Sequence, residues 1–352
     1  MLFSSRRTRH APLKRAVIVG PYRVHNFGDD LIGAIIAKHL QARGYGVTVP
    51  RLGEANADWL GTRFAETYDG AFDDAELVVV GGGGIMSDTA GARPGASYLE
   101  IVARAAAGGL LDGKRIVVTG VGAGPWVRAK SRNLAVEVSR LADRVGVRDD
   151  ESRAHLATLG VPPGKIVTGA DVALLTSKYL TFRARRTAKI ALQFDVSAFT
   201  DLQENRQLSA IARAVGDYAH ANADSVVLVS NGRHRSQLVD AAPASELLRY
   251  SALKDFLPRL AGVQAMFTSH LHLAITAYSQ RIPTFSLFVR EKTRRFYDQI
   301  GHPERAIDLR TATVADFERV IRAAESARWE PRDEKRLRQL QSRAQTLLAF
   351  IE

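Results

Sequence analysis

The sequence predicts an α/β protein made of two doubly wound, Rossmann-like domains in tandem, with a cleft between them. Three observations lead there. Short β-branched runs alternate with amphipathic stretches along the chain, in two successive series. The runs at 77–80 and 116–119 are apolar throughout, as parallel strands covered on both faces should be. The length of 352 residues is more than one ordinary core holds.

In the first series the strands fall at 15–19, 46–49, 76–80, 115–119, 144–147 and 165–168, with helices notably at 30–43, 98–107 and 131–142. The second series begins after Ser177, with strands at 190–194, 225–229, 265–268, 284–288 and 307–309. Its helices include 205–221, 253–260 and 313–326. Between the series, residues 176–187 have little periodicity and a cluster of arginines, which suits a linker. The expected units are therefore 1–177, a linker at 178–187, 188–330, and a C-terminal helix within 331–352 that carries Leu337, Leu340, Leu347 and Leu348.

Composition narrows the class. Hydrophobic content of 46% and charged content of 24% are ordinary for a soluble enzyme. The chain has no cysteine, which excludes a disulfide framework, a thiolate nucleophile and a Cys-ligated zinc. No apolar run reaches the ~18 residues of a membrane span. The basic start, Met1 to His10, leads into an apolar run too short for a signal-peptide core, which predicts a cytoplasmic chain. The net charge of +12 is spread over helices and loops, with clusters at 6–15, 183–186 and 332–338. Aromatic residues are not interleaved with them, so no nucleic-acid partner is expected. A solvated arginine-rich surface accounts for the charge, and a weak attraction to anionic lipid at the inner face of a membrane is a secondary expectation.

The candidate chemistry lies at strand ends, where ligands bind in open α/β sheets. Thr268-Ser-His-Leu-His-Leu-Ala-Ile275 places His270 and His272 where an apolar strand runs into an apolar helix. Histidine titrates near neutrality and serves as a general acid; capping a helix or satisfying a buried carbonyl is the alternative use. Asn26-Phe-Gly-Asp-Asp30 follows the first strand and opens a helix. Its two carboxylates would repel a phosphate, which leaves a sugar hydroxyl or a helix cap as its task. Gly81-Gly-Gly-Gly84 and Gly120-Val-Gly-Ala-Gly-Pro125 read as loops that let a ligand approach the backbone, or as turns. Neither has dinucleotide or nucleoside-triphosphate spacing. Arg148, just past a strand, suits a phosphate or carboxylate, or pairs with Asp149, Asp150 or Glu151. Asp171 ends the next strand as a base, a sugar-orienting group or a turn residue.

Taken in order, these segments, together with Asp88, Val147-Arg-Asp-Asp-Glu-Ser152, Leu156, Gly160, Pro283 and Lys292, resemble the polysaccharide pyruvyl transferase family over roughly residues 15–301. The resemblance implies a fold like that of glycosyltransferases with two Rossmann domains (GT-B-like). It also implies transfer of pyruvate from phosphoenolpyruvate, as co-substrate, onto two hydroxyls of a sugar in a surface polysaccharide or its precursor. A nucleotide-sugar glycosyltransferase and a non-catalytic family member are the competing classes, because fold does not fix function.

By the same resemblance His272 is the proton donor, and Asp171 is a second catalytic candidate that takes a hydroxyl proton or orients the sugar. Arg148, His270, Lys292 and Gly122 face the donor. Asn26, Asp29, Gly83 and Asp88 face the acceptor sugar, with Asp29 or Asp171 taking a hydroxyl proton. The chain departs from the family at His270, where the family has arginine. A neutral imidazole holds an anion less well than guanidinium, so either His270 is protonated, or Arg148 and Lys292 carry more of the load, or the donor differs. The scheme requires no metal and no cofactor, and the sequence has no HExxH-like ligand set.

Overall fold

The computed structural model describes residues 14–22, 26–88, 96–195, 206–232 and 238–351. The basic segment 1–13 lies outside the described residues. The first half contributes β1 (Lys14–Val19), β2 (Tyr45–Thr48), β3 (Leu77–Asp88), β4 (Arg115–Trp126), β5 (Arg144–Val147) and β6 (Ile166–Thr168). The second contributes β7 (Ile190–Gln193), β8 (Val226–Ser230), β9 (Glu246–Arg249), β10 (Ala265–Thr268), β11 (Thr284–Phe288) and β12 (Ala306–Asp308). They form two six-stranded sheets, ordered β2-β1-β3-β4-β5-β6 and β12-β11-β10-β7-β8-β9. Every pairing within them is parallel. This is the two-domain α/β architecture expected from the alternating pattern.

Strand order locates the two crevices. The first sheet reverses direction between β1 and β3, the second between β7 and β10. Ligands bind outside the carboxyl ends of strands at such switch points. The helix Phe27–Gln41 leaves β1 at the first of these and is buried along nearly its whole length, which explains its all-round apolarity. The helix Leu271–Ser279 leaves β10 at the second and is buried throughout.

The halves share a core. Phe27 packs its ring 5.5 Å from Tyr250 and 4.7 Å from Phe256, both of the second half. The Phe27 amide donates to the Asn231 carbonyl at 3.3 Å, and Asn26 bridges Gly232 antiparallel. One apolar cluster accordingly runs from Ile32 and Ile35 through Leu253 and Leu257.

The last helix, Pro331–Ala349, leaves the second sheet and packs against the first half. Leu337, Leu340, Leu347 and Leu348 are its buried face, and the Arg115 guanidinium donates to the carbonyls of Phe350 and Ile351 at 2.8 and 2.7 Å. Residues 180–189, within and just beyond the expected linker, carry no helix or strand. The elements not anticipated include β9 and the helix Glu291–Ile300. β9 is short and carries Glu246 and Arg249, as an edge strand tolerates. The helix Glu291–Ile300 buries Thr293, Phe296, Tyr297 and Ile300, an i, i+3, i+4, i+7 face hidden among charges. Among the described residues no helix is long and apolar enough to cross a membrane.

Candidate active site

The carboxyl ends of both sheets supply one buried ionic cluster. Arg148 stands just past β5, Asp171 just past β6, and His272 in the first turn of the helix after β10. Their exposures are 7%, 4% and 4%, so each charge must be answered by protein. Arg148 Nη1 donates to Asp171 Oδ2 at 3.3 Å. His272 Nε2 lies 3.7 Å from the same oxygen, an ion-pair distance too long for a hydrogen bond. His272 Nε2 is enclosed and has no hydrogen-bond partner among the described residues. Asp171 Oδ1 is occupied by the Ala173 amide at 3.0 Å, which fixes the carboxylate plane.

Asp29 and Lys292 complete the electrostatics. Asn26 caps the first helix, accepting from the Gly28 amide at 3.2 Å, and donates to Asp29 Oδ2 at 2.7 Å. Burial pushes the Asp29 carboxyl above its ordinary value, against the pull of His272, Lys292 and Arg148. Burial likewise opposes ionisation of Asp171, but His272, Arg148 and the Ala173 amide outweigh it and hold that carboxyl well below the usual carboxylate range. Lys292 enters from the start of the helix Glu291–Ile300 and is half-buried. Burial, then the cations Arg290 and Arg148, push its ammonium down to about 7. Asp30, beside Asp29, is pushed up to about 8 by burial. It accepts from the Tyr250 hydroxyl at 2.7 Å, across the seam between the halves.

The glycine runs do something other than cradle an anion. Gly81–Gly84 lies within β3 and Gly120–Gly124 within β4, and the two segments pair, Gly81 with Thr119 and Gly83 with Val121. They are strands with irregular register, not loops. Their lack of side chains makes room for the cluster. A Cβ on Gly83 would stand 2.5 Å from Asp29 Oδ1, and one on Gly122 would stand 2.7 Å from Arg148 Nη2. On the facing helix, a Cβ on Gly28 would run into the His272 ring. Gly83 and Gly122 are thus brought to the site as the floor beneath Asp29 and Arg148.

Two further candidates are held by protein partners. Asp88 has no exposed side-chain surface, and its oxygens accept from the Arg128 guanidinium at 3.1 Å and the Arg128 amide at 3.2 Å. It anchors the entry to the next helix and leaves nothing for a sugar to reach. His270 Nε2 lies 2.7 Å from Asn231 Nδ2. That contact holds the ring by a hydrogen bond whose direction depends on the imidazole tautomer. His270 is therefore placed beside the cluster with its ring oriented by Asn231.

Asn231 and Arg295 were not singled out from sequence, and Asp149 was named only as a possible partner of Arg148, which it is at ion-pair distance. Asp149 caps the helix Asp150–Thr158 by accepting from the Ser152 amide at 2.7 Å, and its other oxygen lies 3.8 Å from Arg148 Nε. The D/S spacing of an N-cap would have found that role. Asn231 follows β8 with no local signal. Among the described residues no group of His, Asp or Glu could hold a metal ion.

Comparison with known proteins bears on the family and the fold. A family model, polysaccharide pyruvyl transferase, matches residues 26–287. No curated protein matches the chain. Among solved structures, the chain resembles the UDP-GlcNAc 2-epimerase from Methanocaldococcus jannaschii, with a TM-score of 0.59 and 9% identity over 96% of this chain and 99% of that one. It also resembles MnaA from S. aureus, solved with UDP, with a TM-score of 0.56 and 14% identity over 94% and 91%. The glycotransferase of kitacinnamycin gives a TM-score of 0.55 and 14% identity over 97% and 99%. At such identities the likeness establishes the fold, which is GT-B-like.

Proposed function

We propose, because the chain belongs to the polysaccharide pyruvyl transferase family, that it transfers the pyruvyl group of phosphoenolpyruvate to two hydroxyls of one sugar, in a surface glycan or its precursor, closing a ketal. The family is one of transferases. The donor and the ketal are our reading, and the observation that carries it is the buried set Arg148, Asp171 and His272, with an imidazole nitrogen that faces Asp171 and makes no hydrogen bond among the described residues.

The donor's terminal enol carbon must gain a proton before its neighbour becomes electrophilic. His272 delivers that proton from Nε2, and Asp171, ionised at neutral pH, faces that nitrogen and orients the ring. The first sugar hydroxyl adds to the oxocarbenium-like carbon. Phosphate departs with its bridging oxygen, and the second hydroxyl closes the ketal. One hydroxyl proton replaces the one His272 gave to the new methyl group, and the other leaves with phosphate. Asp29, within the cluster and next to the cap Asn26, takes the hydroxyl proton on the acceptor side.

The donor's phosphate and carboxylate call for cations, and Arg148 and Lys292 reach the site from opposite halves. A bound anion restores the charge of a lysine that burial has lowered to about 7. His270 stands beside the cluster, its ring held by Asn231. Thermal unfolding with added ligand tests the reading, since a ligand bound to the native state raises the midpoint by mass action. Phosphoenolpyruvate should stabilise the protein and UDP-GlcNAc should not. Stabilisation by UDP-GlcNAc alone would move the chain to the nucleotide-sugar glycosyltransferases, and no effect of either would favour a non-catalytic member.

A further inference from the structure

We infer that Arg295 is a positioning residue: it clasps the two halves together beside the ionic cluster and so sets the gap across which Arg148 and Lys292 hold one anion. The inference rests on the proposed donor only for the identity of that anion.

The clasp is built on Asp149. Its Oδ1 accepts from the Ser152 amide at 2.7 Å and from Arg295 Nη1 at 3.3 Å, while its Oδ2 lies 3.8 Å from Arg148 Nε. The helix cap therefore holds the carboxylate still, with one arginine from each half against it. Arg295 Nη1 also pairs with Glu151 Oε2 at 2.9 Å. Asp149 and Glu151 stand at the head of the helix Asp150–Thr158 in the first half. Arg295 belongs to the helix Glu291–Ile300 in the second, three residues after Lys292 and hence on the same face. Arg148 and Lys292 are thus each next to one arm of the same ion pair.

Two features set this contact apart from a surface salt bridge. Arg295 is 18% exposed, and its Nε is enclosed with no hydrogen-bond partner among the described residues. A pair selected only for stability has no need of an enclosed, unsatisfied N–H, which costs free energy. The contact around Phe27 already joins the halves by apolar packing, which has no charge to align with an anion. The ionic contact lies beside Arg148, where spacing matters most, because a mismatch of about 1 Å in a bound geometry costs on the order of 100-fold.

The absence of native cysteine allows a direct test. Ala157→Cys and Ala323→Cys place spin labels on exposed helix positions of the first and second halves. The distance between them should be narrowly distributed in the parent protein. It should broaden or lengthen in Arg295→Ala and recover in Arg295→Lys. In the same variants, the KM for phosphoenolpyruvate should rise about tenfold in Arg295→Ala, between the effects of exposed and buried ion pairs, with kcat nearly kept and Lys restoring KM. Glu151→Gln, at a half-exposed carboxylate, should move KM in the same direction without risk to the fold. An unchanged distance distribution, or a fall in kcat with KM constant, would overturn the assignment. If the parent protein does not turn over phosphoenolpyruvate, the proposed function fails, and the distance measurement alone still decides whether Arg295 is the clasp.

Discussion

Gly28→Ala should cripple the reaction while sparing the fold. Gly28 is the second residue of the helix Phe27–Gln41, where alanine is intrinsically better than glycine by about 1 kcal/mol. Its added Cβ would nevertheless fall 2.5 Å from His272 Cβ and closer still to the imidazole. Carbon atoms at optimal contact are about 3.5–4.0 Å apart, so the His272 side chain must move by roughly 1 Å or more. The overpacking costs about 1–3 kcal/mol, partly offset by the helix propensity. The net loss of stability is therefore about 0–2 kcal/mol. Catalysis has no such offset. A proton donor displaced by about 1 Å loses on the order of 100-fold in rate. The assay is kcat with phosphoenolpyruvate and a sugar acceptor, alongside the thermal midpoint. Gly84→Ala, whose Cβ would meet only Ser87 Oγ at 3.3 Å, is the control. Gly28→Ala with parental kcat would show that the position of His272 does not matter, and the reasoning from this contact would be refuted.

Three other changes probe the remaining parts. Arg148→Ala should weaken phosphoenolpyruvate binding by about 1.5–3 kcal/mol, roughly 10- to 100-fold in Kd by calorimetry; unchanged binding would reduce Arg148 to an internal ion pair. Phe27→Ala should cost about 3–5 kcal/mol in denaturant unfolding, because its ring is fully buried between the halves; a loss below about 1 kcal/mol would mean that the shared core is not cooperative. Asp30 is pushed up to about 8 in the native state, against about 3.9 unfolded, so the native state binds the extra proton between those values and stability falls as pH rises through that window. Asp30→Asn removes this dependence, and its thermal midpoint relative to the parent should climb from pH 5 to pH 8; parallel profiles would place Asp30 in an ordinary ionised state.

Much of the architecture was legible because parallel strands buried on both faces read as unbroken apolar runs, as at Leu77–Val80 and Ile116–Thr119. His272, Arg148 and Asp171 were legible because each polar residue stands within a few positions of a strand's end. The glycine runs were misread because local composition reports freedom of the backbone, not what fills the space beside it. Only the tertiary fold brings Asp29 over Gly83 and Arg148 over Gly122. Asp88 looked accessible because sequence does not show that Arg128, forty positions on, encloses it. Arg295 was masked by neighbouring charges on an amphipathic helix, although Thr293, Phe296, Tyr297 and Ile300 carried its period. Asn231 was beyond reach, since its partners, His270 and Phe27, come from two other strand ends.

The central claim is that His272 protonates the donor's enol carbon. Running the reaction in D2O with phosphoenolpyruvate and a panel of hexosides, and following product by NMR and phosphate release, tests it most directly. The account predicts one deuterium in each transferred methyl group, one phosphate per ketal, and a loss on the order of 10²–10⁴ in rate for His272→Ala with donor binding kept. Ketal formation at the parental rate in His272→Ala would contradict it.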